Sequence, residues 1–264
     1  MYTTTVMVLS IGICVTAVLL ELSAVLLLLR KSLWREYPFF FVYTIWLLVG
    51  NTAVLFVDLW SPHVYATVFW YGDSADIGLR LLVVWEVFRQ TFPKNSGLSR
   101  SFSKGLGIVA VGLLIVACVT FWGYLNYGLP SPPAPSRVAS WRPHLALDRS
   151  FGFVEALMIL GTLVVARYYG VKCGRNIRGI ALAFGAWASI STANNAMIDL
   201  ANSFVPLFYY LRPLSFVIML VVWIWALWVY EPNPPIRESE AVELNRWTED
   251  WNRTISTART LIRP

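Results

Sequence analysis

Thr4-Thr-Val-Met-Val-Leu-Ser-Ile-Gly-Ile-Cys-Val-Thr-Ala-Val-Leu-Leu-Glu-Leu-Ser-Ala-Val-Leu-Leu-Leu-Leu29 carries a single ionisable side chain, Glu21. About 20 apolar residues suffice for a helix to cross a bilayer. No Lys or Arg precedes the run. It is also longer than the roughly 7–15 apolar residues of a secretory signal, so it reads as a retained helix. Six further runs of the same kind follow, at about 38–60, 64–92, 106–126, 150–170, 177–201 and 205–230. Backbone in lipid must satisfy its own hydrogen bonds, which makes uninterrupted runs of this length helices.

The whole chain agrees with that reading. Of its 264 residues 57% are hydrophobic and 14% charged, where an ordinary soluble domain has roughly 25% charged. Mean hydropathy is +0.60. Such a chain lacks the polar surface of a soluble globule. The expected fold is therefore all-α: a polytopic bundle of seven transmembrane helices over residues 1–230, followed by a tail, 231–264.

Basic residues set the orientation. Arg30, Lys31 and Arg35 lie between the first two spans, Arg89, Lys94, Arg100 and Lys104 between the third and fourth, and Arg167, Lys172, Arg175 and Arg178 between the fifth and sixth. The other side has Arg137, Arg142 and Arg149, all in the long connection before the fifth span. The positive-inside rule then puts the N-terminus outside and the C-terminus in the cytoplasm of a multi-pass protein of the plasma (inner) membrane. The net charge of +6 is thereby accounted for by topology and does not indicate nucleic-acid binding. In the external connection Leu129-Pro-Ser-Pro-Pro-Ala-Pro-Ser136 cannot be helix interior. With the residues through Arg149 it reads as an extended loop or a lid.

The tail changes character after Pro232, Pro234 and Pro235. Leu244, Trp247, Trp251, Ile255, Ala258 and Ile262 recur at steps of three and four, one apolar stripe on an amphipathic helix. Glu238, Glu240 and Glu243 near its start and Arg253, Arg259 and Arg263 near its end complement the helix dipole. The segment 237–262 either lies in the membrane interface or docks a protein partner or second copy through Trp247, Trp251 and Ile255.

Ionisable groups inside spans cost at least about 2.5–3.5 kcal/mol each, so they are the first place to seek function. Asp73, Asp76 and Arg80 fall within about 60° of one face of the third span. Asp76 and Arg80 can pair at i,i+4, which leaves Asp73 as a surplus acid. Asp58, Glu155, Asn194, Asn195, Asp199 and Arg212 lie at similar outer depth in other spans. If these face inward, they form an outward-opening polar pocket walled by Tyr65, Trp70, Tyr71, Tyr209 and Tyr210. The candidate ligand-binding residues are Asp73, Asp76, Arg80, Asn195, Asp199, Arg212, Tyr71 and Tyr209. The competing reading makes Asp76–Arg80 and Asp199–Arg212 structural ion pairs. Glu21 has no evident partner, and Glu86 can reach Arg89 or Gln90. Close helix contact is expected along Ala181/Gly185/Ser189.

Spans one to three and five to seven run in the same direction, and two short matches link them. Asp58-Leu59 corresponds to Asp199-Leu200 at an offset of 141, and Leu82-Val-Val-Trp85 to Leu220-Val-Val-Trp223 at 138. This 3+1+3 order resembles that of SWEET-type sugar transporters, whose kinking prolines spans one and two lack.

Several chemistries are disfavoured. Cys14, Cys118 and Cys173 have no metal-ligand or disulfide spacing. His63 and His144 fall in loops, so histidine ligation of haem inside a span is not expected. No Lys stands in 205–230 for a retinal Schiff base. No GxSxG, HExxH or P-loop motif occurs. The sequence therefore leads to a non-enzymatic membrane protein, with no cofactor or metal, that binds a small solute for sensing or transport. The alternative is a structural or accessory subunit of a larger membrane complex, suggested by 13 Trp and the docking-type tail.

Overall fold

The computed structural model describes residues 2–60, 62–92, 142–168, 170–200 and 205–231, with isolated positions between 107 and 119 and between 242 and 257. Six long helices, and no strand, occur among the described residues: α1 Tyr2–Arg30, α2 Pro38–Trp60, α3 Pro62–Thr91, α4 Arg142–Tyr168, α5 Arg175–Leu200 and α6 Val205–Trp228. Proline opens α2 and α3, at the one helical position where its missing N–H and fixed φ are harmless. A single 3-10 turn, Leu33–Arg35, joins α1 to α2, entered through Ser32 at φ 54°. Apart from those isolated positions the expected fourth span, 106–126, lies outside the described residues, as do the tail residues Trp247, Trp251 and Ile255.

Four segments are long and apolar enough to cross a membrane: Ile11–Arg30, Pro38–Val57, Leu147–Tyr168 and Tyr210–Trp228. Their outward faces are apolar and uncovered, as on α1, where Val15, Leu19, Leu22, Leu26 and Leu29 are all exposed. A helix in lipid has this inverted character, since the solvent it faces is hydrocarbon. Helices α3, α4 and α5 carry most of the charged and amide-bearing side chains and are less apolar along their whole length than α1, α2 and α6.

The helices close into a ring. Each packs on its neighbours in chain order, and α6 returns to α1. Trp223 of α6 is fully buried inside this ring, edge-on to Phe40 of α2 at 4.7 Å and stacked over Phe184 of α5 at 6.2 Å. The partner word in the sequence match behaves differently, because Trp85 is only partly buried and packs beside Phe88. Exchanging α1–α3 with α4–α6 nevertheless maps every neighbour in the ring onto a neighbour. Tyr43 also packs edge-on against Phe184, its counterpart at the offset of 141, at 5.9 Å.

Close approach on α5 occurs at Gly185 of the expected stripe and at Gly179 outside it, but not at Ser189. Gly185 faces Ile159 of α4, and a Cβ at Gly179 would stand 2.3 Å from the Ala226 methyl of α6. Ser189 is exposed and donates to the Gly185 carbonyl.

Two boundaries differ from the sequence reading. Helix α4 begins at Arg142, eight residues before the expected 150, so His144, Asp148 and Arg149 are helical and not part of a loop. His63 likewise sits in the first turn of α3. Hydropathy cuts a helix where charges begin, and it fails where those charges are paired within the bundle.

Helices α3 and α4 run parallel. Arg80 meets Asp148 and Glu155 near one end of the pair, and Phe88 and Phe92 cluster with Ala166 and Val171 near the other.

Candidate functional site

Steps of three and four bring Asp73, Asp76 and Arg80 to one face of α3, and that face turns into the bundle. Arg80 is 1% exposed and shared by three carboxyls. Its Nε stands 3.0 Å from Asp76, Nη2 donates to Asp148 at 2.5 Å, and Nη1 is 3.5 Å from Glu155. The guanidinium carbon lies 5.2 Å from the ring centre of Trp187, which adds a cation–π contact from α5.

Asp148 is the hub on the α4 side. Besides Arg80 it accepts from Asn195 Nδ2 at 2.9 Å and from Arg212 Nη2 at 3.1 Å. Arg212 also approaches Asp73 at 3.5 Å. Four helices, α3 to α6, thus contribute to one ionic network, and buried charge is tolerated only when paired and hydrogen-bonded in this way. The expected Asp76–Arg80 pair is present. Arg212 meets Asp148 and Asp73; the expected Asp199–Arg212 pair turns on a side chain outside the described residues.

Of the sequence candidates, Asp73, Asp76, Arg80, Asn195 and Arg212 are brought together. The side chains of Tyr71, Asp199 and Tyr209 lie outside the described residues, as do those of Tyr65, Trp70 and Asp58. Tyr210 is partly exposed. Asp148, Trp187 and Tyr43 are members the sequence reading did not select. Asp148 and Glu155 are seven residues apart, two turns along one helix face, and that spacing would have exposed the pair once α4 was started at Arg142.

Satisfaction is incomplete at the centre. Both carboxylate oxygens of Glu155, Asp76 Oδ1, Asn195 Oδ1, Ser191 Oγ and the Tyr43 hydroxyl are buried without a hydrogen-bond partner. Tyr43, from α2, lies within electrostatic reach of Asp76, Arg80, Glu155 and Glu21. Glu21 in turn accepts from Asn51 Nδ2 of α2, the partner that its own neighbourhood in sequence did not reveal.

The opposite end of the ring is tied by caps. Glu86 of α3 lies within electrostatic range of Arg89 and accepts from the amides of Phe39 at 3.2 Å and Phe40 at 2.7 Å, partners on another helix. These are amides of the first turn of α2, which lack helical partners of their own. Carbonyls at the end of α6 are taken by Lys31, Arg175 and Asn176, the last donating to Ala226 at 2.8 Å and Val229 at 3.2 Å. Cys173, in the turn between α4 and α5, has its thiol pushed above the usual range by burial.

The chain matches no family model, no curated protein and no solved structure. The site must therefore be read from its own chemistry. Among the described residues, no three His, Cys, Asp or Glu side chains converge as a metal-ligand set.

Proposed function

We propose that the chain is a multi-pass protein of the plasma membrane that binds a small polar solute at the Arg80 cluster, for sensing or transport. The carrying observation is the gradient of exposure through that cluster. Asp73, Asp76 and Arg212 keep 13%, 16% and 22% of their side chains exposed, while Arg80, Asp148 and Glu155 keep 2% or less. A purely structural ion pair needs neither an exposed end nor polar atoms left without partners. Here both occur, on the half of the bundle that the positive-inside rule turns outward.

Seven crossings are part of the proposal. The parallel course of α3 and α4 supports this reading, and 106–126 is an apolar run long enough for the additional crossing. The tail, 231–264, is read as a cytoplasmic amphipathic helix that rests on the membrane or docks a partner. No chemistry beyond binding is assigned.

The test is a thermal-stability screen of the purified full chain against small polar compounds, since a ligand that binds only the folded state raises its melting temperature. A stabilising compound whose effect disappears in Asn195→Leu supports solute binding. A chain that gains nothing from any compound and purifies with stoichiometric neighbours supports the accessory-subunit reading instead.

A further inference from the structure

We propose that the Arg80 cluster binds and releases a proton, with Glu155 as the group that carries it and the Tyr43 hydroxyl as its neighbour. The proposal deepens the solute reading and rests on the same site. Its basis is charge balance together with geometry. Asp73, Asp76, Asp148 and Glu155 surround Arg80 and Arg212, so the described cluster holds two more acids than bases. A buried excess of negative charge is neutralised by whatever cation is at hand, because an uncompensated ion in low dielectric is prohibitively unstable. The carboxyls do not gather around a point as metal ligands would. The missing charge is then supplied as protons.

Geometry selects the carrier. Asp148 receives hydrogen bonds from Arg80, Asn195 and Arg212 and stays ionised. Asp76 is held by Arg80 Nε at 3.0 Å, and Asp73 by Arg212. Glu155 stands 3.5 Å from Arg80, no closer than Asp73 to Arg212, but of these four carboxyls it is the one completely buried with no hydrogen bond to either oxygen, whereas Asp73 keeps 13% of its side chain exposed. Independently, Tyr43 brings an unpartnered, fully buried hydroxyl from another helix into range of the same carboxyl.

The groups facing Glu155 are Arg80, Asp76 and Asp73 from α3, Asp148 on its own helix, and Tyr43 from α2. Helix α5 contributes Trp187, Ser191 and Asn195, none of which titrates, and α6 contributes Arg212 through Asp148. On release the O–H bond of the Glu155 carboxyl breaks, and its electron pair remains on the carboxylate. The proton passes by way of Asp76, whose Oδ1 is unpartnered, to water at the partly exposed end of the cluster.

Infrared difference spectroscopy of the purified full chain, titrated in pH with no solute added, tests this. The expected result is a protonated-carboxyl carbonyl band that shifts in heavy water, disappears as pH rises and is missing from Glu155→Gln. Absence of a titrating band in the wild type, or its survival in a folded Glu155→Gln, overturns the proposal. Should Glu155→Gln fail to fold, Glu155→Asp takes its place. A displaced titration midpoint is then expected, and an unchanged one overturns the proposal. The two readings fail separately: a solute screen without hits leaves the band in place, and a missing band leaves the screen unaffected.

Discussion

Arg80 on α3 donates to Asp148 on α4, 68 positions further along the chain, and both side chains are almost completely buried. Asp148 also gathers Asn195 and Arg212. That one bond therefore links the helix that supplies Asp73, Asp76 and Arg80 to the three helices that follow it.

Arg80→Leu removes the cation shared by three carboxyls. Breaking a buried ion pair from one side costs about 3–5 kcal/mol. A large fall in the melting temperature of the purified chain is expected, with partial recovery when Asp148→Asn is added. No recovery in the double variant would mean that Asp148 is not the partner that matters.

Asn176→Ala strips the buried side chain that bonds the Ala226 and Val229 carbonyls and accepts from the Glu231 amide. Leaving such groups unsatisfied costs roughly 1–3 kcal/mol. The loss should be local as well as global. Hydrogen exchange is expected to accelerate at the Glu231 amide, while amides near Glu21 keep their protection.

Gly179 and Gly161 are both helical glycines, and they should respond to alanine with opposite signs. At Gly179 the new methyl collides with Ala226, and overpacking of this sort costs about 1–3 kcal/mol. At Gly161 nothing stands within 4 Å, so Ala gains up to about 1 kcal/mol of helix propensity. Thermal melts of the two variants side by side decide the matter.

Cys173 offers a pH test outside the spans. Burial, only partly offset by a hydrogen bond with Thr91 and the nearby Arg178 charge, holds its thiol above the usual range. The folded state therefore binds this proton more tightly than the unfolded chain does. Its contribution to stability is complete below the ordinary thiol range and is lost as pH rises through the raised value. Maleimide labelling of Cys173 in the folded chain should begin at a higher pH than labelling after denaturation, and coincident profiles would contradict the assignment.

The third span's charged face was readable because its three residues are local: Asp73, Asp76 and Arg80 obey helical spacing, whatever surrounds them. The helix existence of α1, α2, α3, α5 and α6 was equally plain, since long apolar runs leave few alternatives. Partners were not readable. Nothing near Glu21 names Asn51, and nothing near Glu86 names the amides of Phe39 and Phe40, because these bonds join different helices. Asp148 was missed for a sharper reason: its charge, with those of Arg142 and Arg149, resembled solvent-facing sequence and moved the expected start of α4 past it. Arg212 was matched with Asp199 on charge and depth, and nothing in the sequence named Asp148 and Asp73, the two carboxylates of other helices that it meets.

The parallel packing of α3 and α4 also fixes an order of events during synthesis. Arg80 leaves the ribosome long before Asp148, Glu155 and Asn195 exist, and until then Asp76, one turn away, is the only member of the pairing set on hand for it. On the proposed seven-crossing arrangement, helix α3 enters the membrane in that half-paired state and waits for the second half of the chain. The halves are thus each other's folding partner, and a variant that weakens Asp76 would be felt first as poor insertion rather than as poor binding.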